Sequence, residues 1–197
     1  MGKTRLEAFS DGVLAIVITI MVLELKAVRG ADLAALAPLW PVFSGYVLSF
    51  VYLAIYWNNH HHLLHLCERV TGAILWANLH LLFWLSLIPF TTAWMGTNAF
   101  APAPTSLYGC VLLMAALAYT LLQRSIVGSQ GQDSVLRSTL GSDWKGKVSP
   151  LLYLAAIPLA FFAQWIAGAI YVGVALLWLV PDRRIERALA ERGQKAL

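Results

Sequence analysis

The chain has 197 residues, of which 59% are hydrophobic and 12% are charged, and its mean hydropathy is +0.69. Soluble domains average about 25% charged residues, so this composition excludes an ordinary water-soluble domain and indicates surroundings that are largely lipid. The net charge of +4 comes from basic residues in loops and tails, which is typical of membrane topology and does not indicate nucleic-acid binding.

Hydropathy predicts an all-α membrane protein with six transmembrane helices. A span needs about 20 mostly apolar residues, and the uncharged run 148–181 is too long for one span, so it is divided near Pro158, Gln164 and Gly168. A single transmembrane domain is therefore predicted over residues 1–181, followed by a basic cytoplasmic tail at 182–197. The six predicted spans cover about residues 5–25, 39–65, 70–94, 106–123, 149–165 and 167–181.

The distribution of basic residues predicts the orientation of these spans. If the N-terminus is cytoplasmic, six spans place twelve of the fourteen Lys and Arg residues on the cytoplasmic side and only Lys26 and Arg29 outside. Positive charge concentrates on the cytoplasmic side of membrane proteins. Both termini are therefore expected in the cytoplasm, together with the polar loop at 125–147.

The first predicted span contains an ionisable residue, Asp11. A carboxylate inside a span costs at least about 2.5 kcal/mol and usually marks a functional or pairing site. Asp11 is expected to accept hydrogen bonds from neighbouring helices. The alternative is that Asp11 and Arg5 lie close enough to the membrane surface to act only as anchors.

An apolar stripe follows Asp11 on the same helix. Ile16, Ile20 and Leu23 are spaced i, i+4 and i+7, so they share one face. At about 100° per residue, Asp11 points about 140° away from Ile16. Periodicity alone favours lipid or the bundle core as the surroundings of this stripe. If the helix lines a pore, the stripe instead forms a hydrophobic constriction while Asp11 braces the helix from behind.

The second predicted span ends in the run YWNNHHH, followed by His65. These side chains have three candidate roles: hydrogen bonding to Asp11, proton relay, since imidazole titrates near neutral pH, and metal binding, since histidines at i and i+4 can share an ion. No Glu or Cys completes an obvious ligand set. The sequence has no phosphate-binding loop and no recognisable catalytic triad, so neither an enzyme nor a bound metal or cofactor is predicted.

The segment RLEAFSDGVLAI, from Arg5 to Ile16, resembles the signature of the transmembrane protein 175 family, which comprises endolysosomal potassium channels and their bacterial homologues. The similarity is specific over about the first hundred residues. It continues at Thr19, Leu23, Leu25, Trp57, Asn59, His60, His61, Asn78, residues 85–86 and residues 89–91.

The resemblance implies a passive channel that prefers K⁺ and lacks the TVGYG filter, as this chain does. A single repeat resembles the bacterial form. It implies a homotetramer in the bacterial cytoplasmic membrane, in contact with lipid and monovalent cations, with four copies of the first helix around a central pore. Ile16, Ile20 and Leu23 would form the pore constriction, and Thr19 would be associated with selectivity.

The resemblance also implies a structural hub that joins the first three helices. Its motif residues would be Arg5, Phe9, Ser10, Asp11 and Gly12, and their partners would be Trp57, Asn59, His60, His61 and Asn78. Two alternatives remain open: a proton-conducting or pH-gated channel that uses Asp11 and the His60–His65 cluster, and a metal-binding membrane protein.

Overall fold

The computed structural model describes residues 2–28, 30–130 and 144–179. Within these ranges the chain is helical and contains no β-strand, which agrees with the predicted all-α class. The elements are α1 (Lys3–Leu23), a 3₁₀ helix (Leu33–Leu39), α2 (Trp40–His65), α3 (Gly72–Ser86), α4 (Ile88–Thr97), α5 (Pro102–Ser129), α6 (Trp144–Phe162) and α7 (Gln164–Leu179).

Four segments of the described chain are long and apolar enough to cross a membrane: Lys3–Leu23, Leu33–His65, Gly72–Thr97 and Pro102–Ser129. A shorter apolar helix covers Gln164–Leu179. The chain is thus a multi-pass membrane protein by the length and composition of its helices, while the count of six spans and the side of each terminus stay predictions. The tail at 182–197 lies outside the described residues.

The predicted third span, 70–94, consists of two helices, α3 and α4, with a break at Leu87. Pro89 stands in the first turn of α4 and has no N–H to donate to the carbonyl four residues back, which interrupts the helical ladder. The amide of Leu87 instead bonds to the carbonyl of Trp84 at 3.2 Å. The segment also extends further than predicted, since α4 ends at Thr97.

The fourth predicted span, 106–123, lies within a longer helix. Helix α5 begins at Pro102, because proline at the first helical position removes only an N–H that would be unpaired there anyway. It ends at Ser129, so residues 125–129 of the predicted loop are helical. Residues 131–143 of that loop lie outside the described part of the chain.

The C-terminal apolar run forms two helices, and Ala163 alone separates them. Pro158 and Gly168 both lie inside helices, so neither is the interruption, whereas Gln164 begins α7. Near the start of α6, Lys145 Nζ donates to the carbonyl of Leu177 near the end of α7 at 3.1 Å. The two helices therefore run antiparallel as a hairpin.

Two buried clusters hold the bundle together. The first is mostly aliphatic and includes Leu14, Leu53, Leu81 and Leu122, from α1, α2, α3 and α5. The second, which we call the tyrosine cluster, is built around four buried rings from α2, α5, α6 and α7: Tyr52, Tyr108, Tyr153 and Tyr171. Neighbouring ring centroids in it lie 5.6–6.5 Å apart. Helix α1 contributes only to the first cluster.

Candidate functional site

Helix α1 presents one buried side to the bundle: Leu6, Ser10, Leu14, Val17 and Met21. Their spacing of three or four residues gives a single stripe along the helix. Four of the five are aliphatic or thioether side chains, on a helix that packs against α2, α3 and α4. Ser10 is the polar exception, and it is fully buried.

Ser10, His60 and Asn78 form a buried chain of hydrogen bonds that we call the interhelical hub. His60 Nε2 lies 2.6 Å from Asn78 Oδ1, and Asn78 Nδ2 donates to Ser10 Oγ at 3.0 Å. Ser10 Oγ in turn donates to the carbonyl of Leu6 at 2.9 Å. All three side chains are buried, so the hub joins α1, α2 and α3 where water does not compete for these bonds.

The hydrogen bonds of the hub all run in one direction. An amide oxygen can only accept, so His60 Nε2 must carry the hydrogen that it shares with Asn78 Oδ1. Each group then donates to the next, and the chain ends on a main-chain carbonyl. The hub therefore leaves none of these donors unpaired, which is what a buried polar group in a membrane bundle requires.

Asp11 lies outside the hub and makes a separate contact between α1 and α2. Its Oδ1 accepts a hydrogen bond from Trp57 Nε1 at 2.9 Å. The sequence left open which histidine or asparagine pairs with Asp11, and in the structure the observed donor is instead an indole. Asp11 is exposed in the single subunit.

The remaining motif residues lie on another side of α1. Arg5, Phe9 and Gly12 are all exposed, and their spacing continues the exposed apolar residues Ile16 and Ile20 along the same face. We call this set, with Leu23, the exposed stripe of α1. The motif thus divides: Ser10 faces the bundle and Asp11 contacts Trp57, while the other three residues face outward and do not contribute side-chain hydrogen bonds to the hub.

Two residues that were predicted as partners in the hub, Asn59 and His61, also lie outside it. Asn59 Nδ2 donates to the carbonyl of Ile55 in its own helix at 2.9 Å, and the carbonyl of Asn59 accepts from Tyr119 at 3.1 Å. His61 is exposed and stacks on Trp57, with ring centroids 6.2 Å apart. Thr19 is exposed beside the stripe, and its hydroxyl donates to the carbonyl of Ala15 at 2.8 Å.

Comparison with known proteins identifies the family. The model of a family described as endosomal/lysosomal potassium channel TMEM175 matches residues 5–89. A protein named potassium channel from Chryseobacterium sp. (strain P1-3) is 53% identical over 97% of this chain and 100% of its own length. The chain belongs to the TMEM175 family.

Two further TMEM175 proteins extend the comparison. The crystal structure of a lysosomal potassium-selective channel TMEM175 homologue from Chamaesiphon minutus superimposes with a TM-score of 0.79. It is 27% identical, and the match covers 90% of this chain and 96% of that one. The human protein named endosomal/lysosomal proton channel TMEM175 is 34% identical over 53% of this chain and 23% of its own length.

The interhelical hub lies inside the segment 5–89 that matches the TMEM175 model, whereas most of a second polar network lies beyond it. Ser49 Oγ is 2.6 Å from Thr92 Oγ1 and 3.0 Å from the hydroxyl of Tyr108. Tyr52 donates to the carbonyl of Tyr171 at 2.6 Å. Sequence reasoning missed this network, although several tyrosines inside apolar spans were a usable signal.

No group of three or more His, Cys, Asp or Glu side chains in the described ranges could hold a metal ion. Both cysteines are free. Cys67 is buried in the turn after α2, and burial raises the pKa of its thiol.

Proposed function

We propose that this TMEM175 protein is one subunit of a cation channel that conducts K⁺ passively, with α1 of each copy lining a central pore. The observation that carries the proposal is the exposed stripe of α1. Ile16, Ile20 and Leu23 are 61%, 44% and 75% exposed, although the opposite side of the same helix is buried. Relatives named potassium channels from three bacteria support the choice of ion.

The residues along the exposed face of α1 support a pore-lining role better than a purely lipid-facing one. Lipid accepts an apolar surface, but the exposed stripe also carries Gly12 and the charged Arg5, with Phe9 between them. A face that is charged at one end and apolar along the rest suits an aqueous entrance that leads to a hydrophobic constriction. Such a constriction gates by dewetting. Thr19, beside the stripe, is the proposed selectivity-associated residue.

The assembly is proposed to be a homotetramer in the bacterial cytoplasmic membrane, with six spans and both termini cytoplasmic in each subunit. Closed rotational symmetry is the usual arrangement of identical subunits, and it brings four copies of the exposed stripe around one axis. The interhelical hub then fixes the orientation of α1 from its buried side, opposite the exposed stripe. The proposal requires neither catalytic chemistry nor a bound cofactor, since K⁺ is the transported ion.

Flux measurements on the purified protein in liposomes test the pore assignment. Leu23→Ser and Ile16→Ser are expected to raise K⁺ flux severalfold or to weaken the preference for K⁺ over Na⁺, because a hydroxyl wets the constriction. The matched control is Leu154→Ser, since Leu154 in α6 is also 58% exposed and is proposed to face lipid. If both stripe variants conduct as the wild type does, the stripe does not line the pore.

Proton conduction is the second candidate, and the human relative named a proton channel favours it. The interhelical hub is poorly suited to carry protons, since it includes an amide, which does not exchange protons readily, and ends on a main-chain carbonyl. The test is proton flux driven by a pH gradient in the absence of K⁺. Proton flux that persists without K⁺ and disappears in Asp11→Asn would favour this candidate over K⁺ conduction.

A further inference from the structure

The five histidines differ in how their ring nitrogens are used. His60 and His80 each have Nε2 in a side-chain hydrogen bond, and His62 is half-buried and has interactions of its own. His61 and His65 are exposed. Their ring nitrogens make no hydrogen bond within the described ranges, so the lone pairs of these two imidazoles are available to a ligand from solution.

His61 and His65 lie side by side on the surface of α2. They are four residues apart and therefore on one face, with ring centroids 6.3 Å apart and planes inclined by 23°. Trp57 stacks on the other side of His61 at 6.2 Å and 28°. The three rings form a column on the surface, which ends at His65, the last residue of α2.

We propose that His61 and His65 form a two-imidazole site for a divalent transition-metal ion such as Ni²⁺, Zn²⁺ or Cu²⁺, with water as the remaining ligands. Imidazole nitrogen is a preferred ligand of these ions, and histidines at i and i+4 of a helix can bind one ion together. Rotation of the two exposed side chains brings one nitrogen of each ring within the metal–nitrogen distance of about 2.1 Å.

The surroundings of the pair connect the site to α1. Trp57, which stacks on His61, donates to Asp11, and Lys3 Nζ donates to the carbonyl of His65 at 2.7 Å. The ammonium group of Lys3 opposes the charge of a bound cation, while the carboxylate of Asp11 favours it. A metal ion on the pair also comes close to the indole of Trp57, which provides a spectroscopic signal for occupancy.

The test is calorimetric titration of the full-length protein in detergent with NiCl₂, using an affinity tag that contains no histidine. We expect about one ion per chain for the two-ligand site. His61→Gln and His65→Gln should each weaken binding at least about tenfold, because two tethered ligands gain from high effective concentration. His62→Gln is the matched control and should bind as the wild type does. MgCl₂ should not bind, since Mg²⁺ requires oxygen ligands.

Quenching of tryptophan fluorescence by Ni²⁺ gives a second measurement on the same samples. The quenched component should be absent in Trp57→Phe and should require higher Ni²⁺ concentrations in His61→Gln. Unchanged affinity in both His61→Gln and His65→Gln, or loss of binding in His62→Gln alone, would overturn the assignment. Neither measurement depends on ion flux, so its failure is distinguishable from failure of the proposed channel function.

Discussion

The interhelical hub and the tyrosine cluster both place polar atoms inside an apolar bundle, and they satisfy those atoms differently. In the hub, three side chains depend on one another, and Asn78 uses both ends of its amide. In the tyrosine cluster, the rings pack together and the hydroxyls of Tyr52 and Tyr171 donate to main-chain carbonyls. Such carbonyls have a second lone pair beyond their helical bond.

Because of this difference, the two regions should be sensitive to different kinds of substitution. Removing one member of the hub leaves a hydrogen-bonding group of its neighbour unpaired in a place that water does not reach. Removing one hydroxyl of the tyrosine cluster leaves a carbonyl that still has its helical hydrogen bond. The hub should therefore respond most to loss of hydrogen-bonding groups, and the tyrosine cluster most to changes in volume.

The largest effect is expected from Asn78→Leu, which keeps the size of the side chain but removes both hydrogen bonds. Each buried group left unpaired costs about 1–3 kcal/mol, and both His60 and Ser10 lose a partner, so the free energy of unfolding should fall by about 3 kcal/mol. Denaturant unfolding in detergent measures this. A stability equal to that of the wild type would show that the hub does not hold α1.

Volume in the tyrosine cluster is tested by Gly109→Ala. A methyl group at Gly109 would collide with the hydroxyl and ring of Tyr171 and come within 3.2 Å of Ile157. Overpacking of this kind costs about 1–3 kcal/mol, so thermal stability should fall clearly.

The matched control for this variant is Gly12→Ala on α1, where an added methyl group meets nothing within 4 Å. It should leave the unfolding of the single subunit unchanged or raise its stability slightly, since alanine favours helix. Equal destabilisation by both substitutions would contradict the assignment of the effect to the contact with Tyr171.

A smaller effect is expected from Tyr52→Phe, which removes the 2.6 Å hydrogen bond to the carbonyl of Tyr171 and keeps the ring. The expected loss is about 1 kcal/mol, the usual net value of one hydrogen bond. Thermal unfolding should place this variant between the wild type and Asn78→Leu. A larger loss than in Asn78→Leu would reverse the proposed ranking of the two regions.

The smallest effect is expected from Asp11→Asn. The amide keeps an oxygen that can accept from Trp57 Nε1, and the contact is exposed. Unfolding stability should therefore change by less than about 1 kcal/mol. Asp11→Leu, which removes the acceptor, is the comparison, and it should lower stability more than Asp11→Asn does.

The sequence predicted the components of the hub better than their arrangement. The resemblance named Ser10, His60 and Asn78, and the structure brings these three together. It also named Arg5 and Phe9, which face away from the hub on the exposed stripe. A motif of adjacent residues on a helix necessarily points in several directions, so belonging to the motif does not determine what each side chain contacts.

Other differences have local physical causes. The break at Leu87 could have been anticipated from Pro89, whereas the position of the hairpin break could not, since Pro158 is accommodated inside α6. The tyrosine cluster was missed because its members come from four different helices. Hydropathy treats each tyrosine as one weakly polar residue in a span and carries no information about which rings meet.

Composition and hydropathy by themselves determined that this protein is helical and membrane-embedded, because continuous apolar runs of about 20 residues match membrane-spanning helices, which satisfy their main-chain hydrogen bonds within each span. The signature in the first helix determined the family. Only the tertiary structure decided which polar groups pair, that Trp57 rather than a histidine meets Asp11, and that Ile16, Ile20 and Leu23 lie on the uncovered side of α1. Those outcomes depend on how the helices pack against one another, and that packing depends on side chains far apart in the sequence.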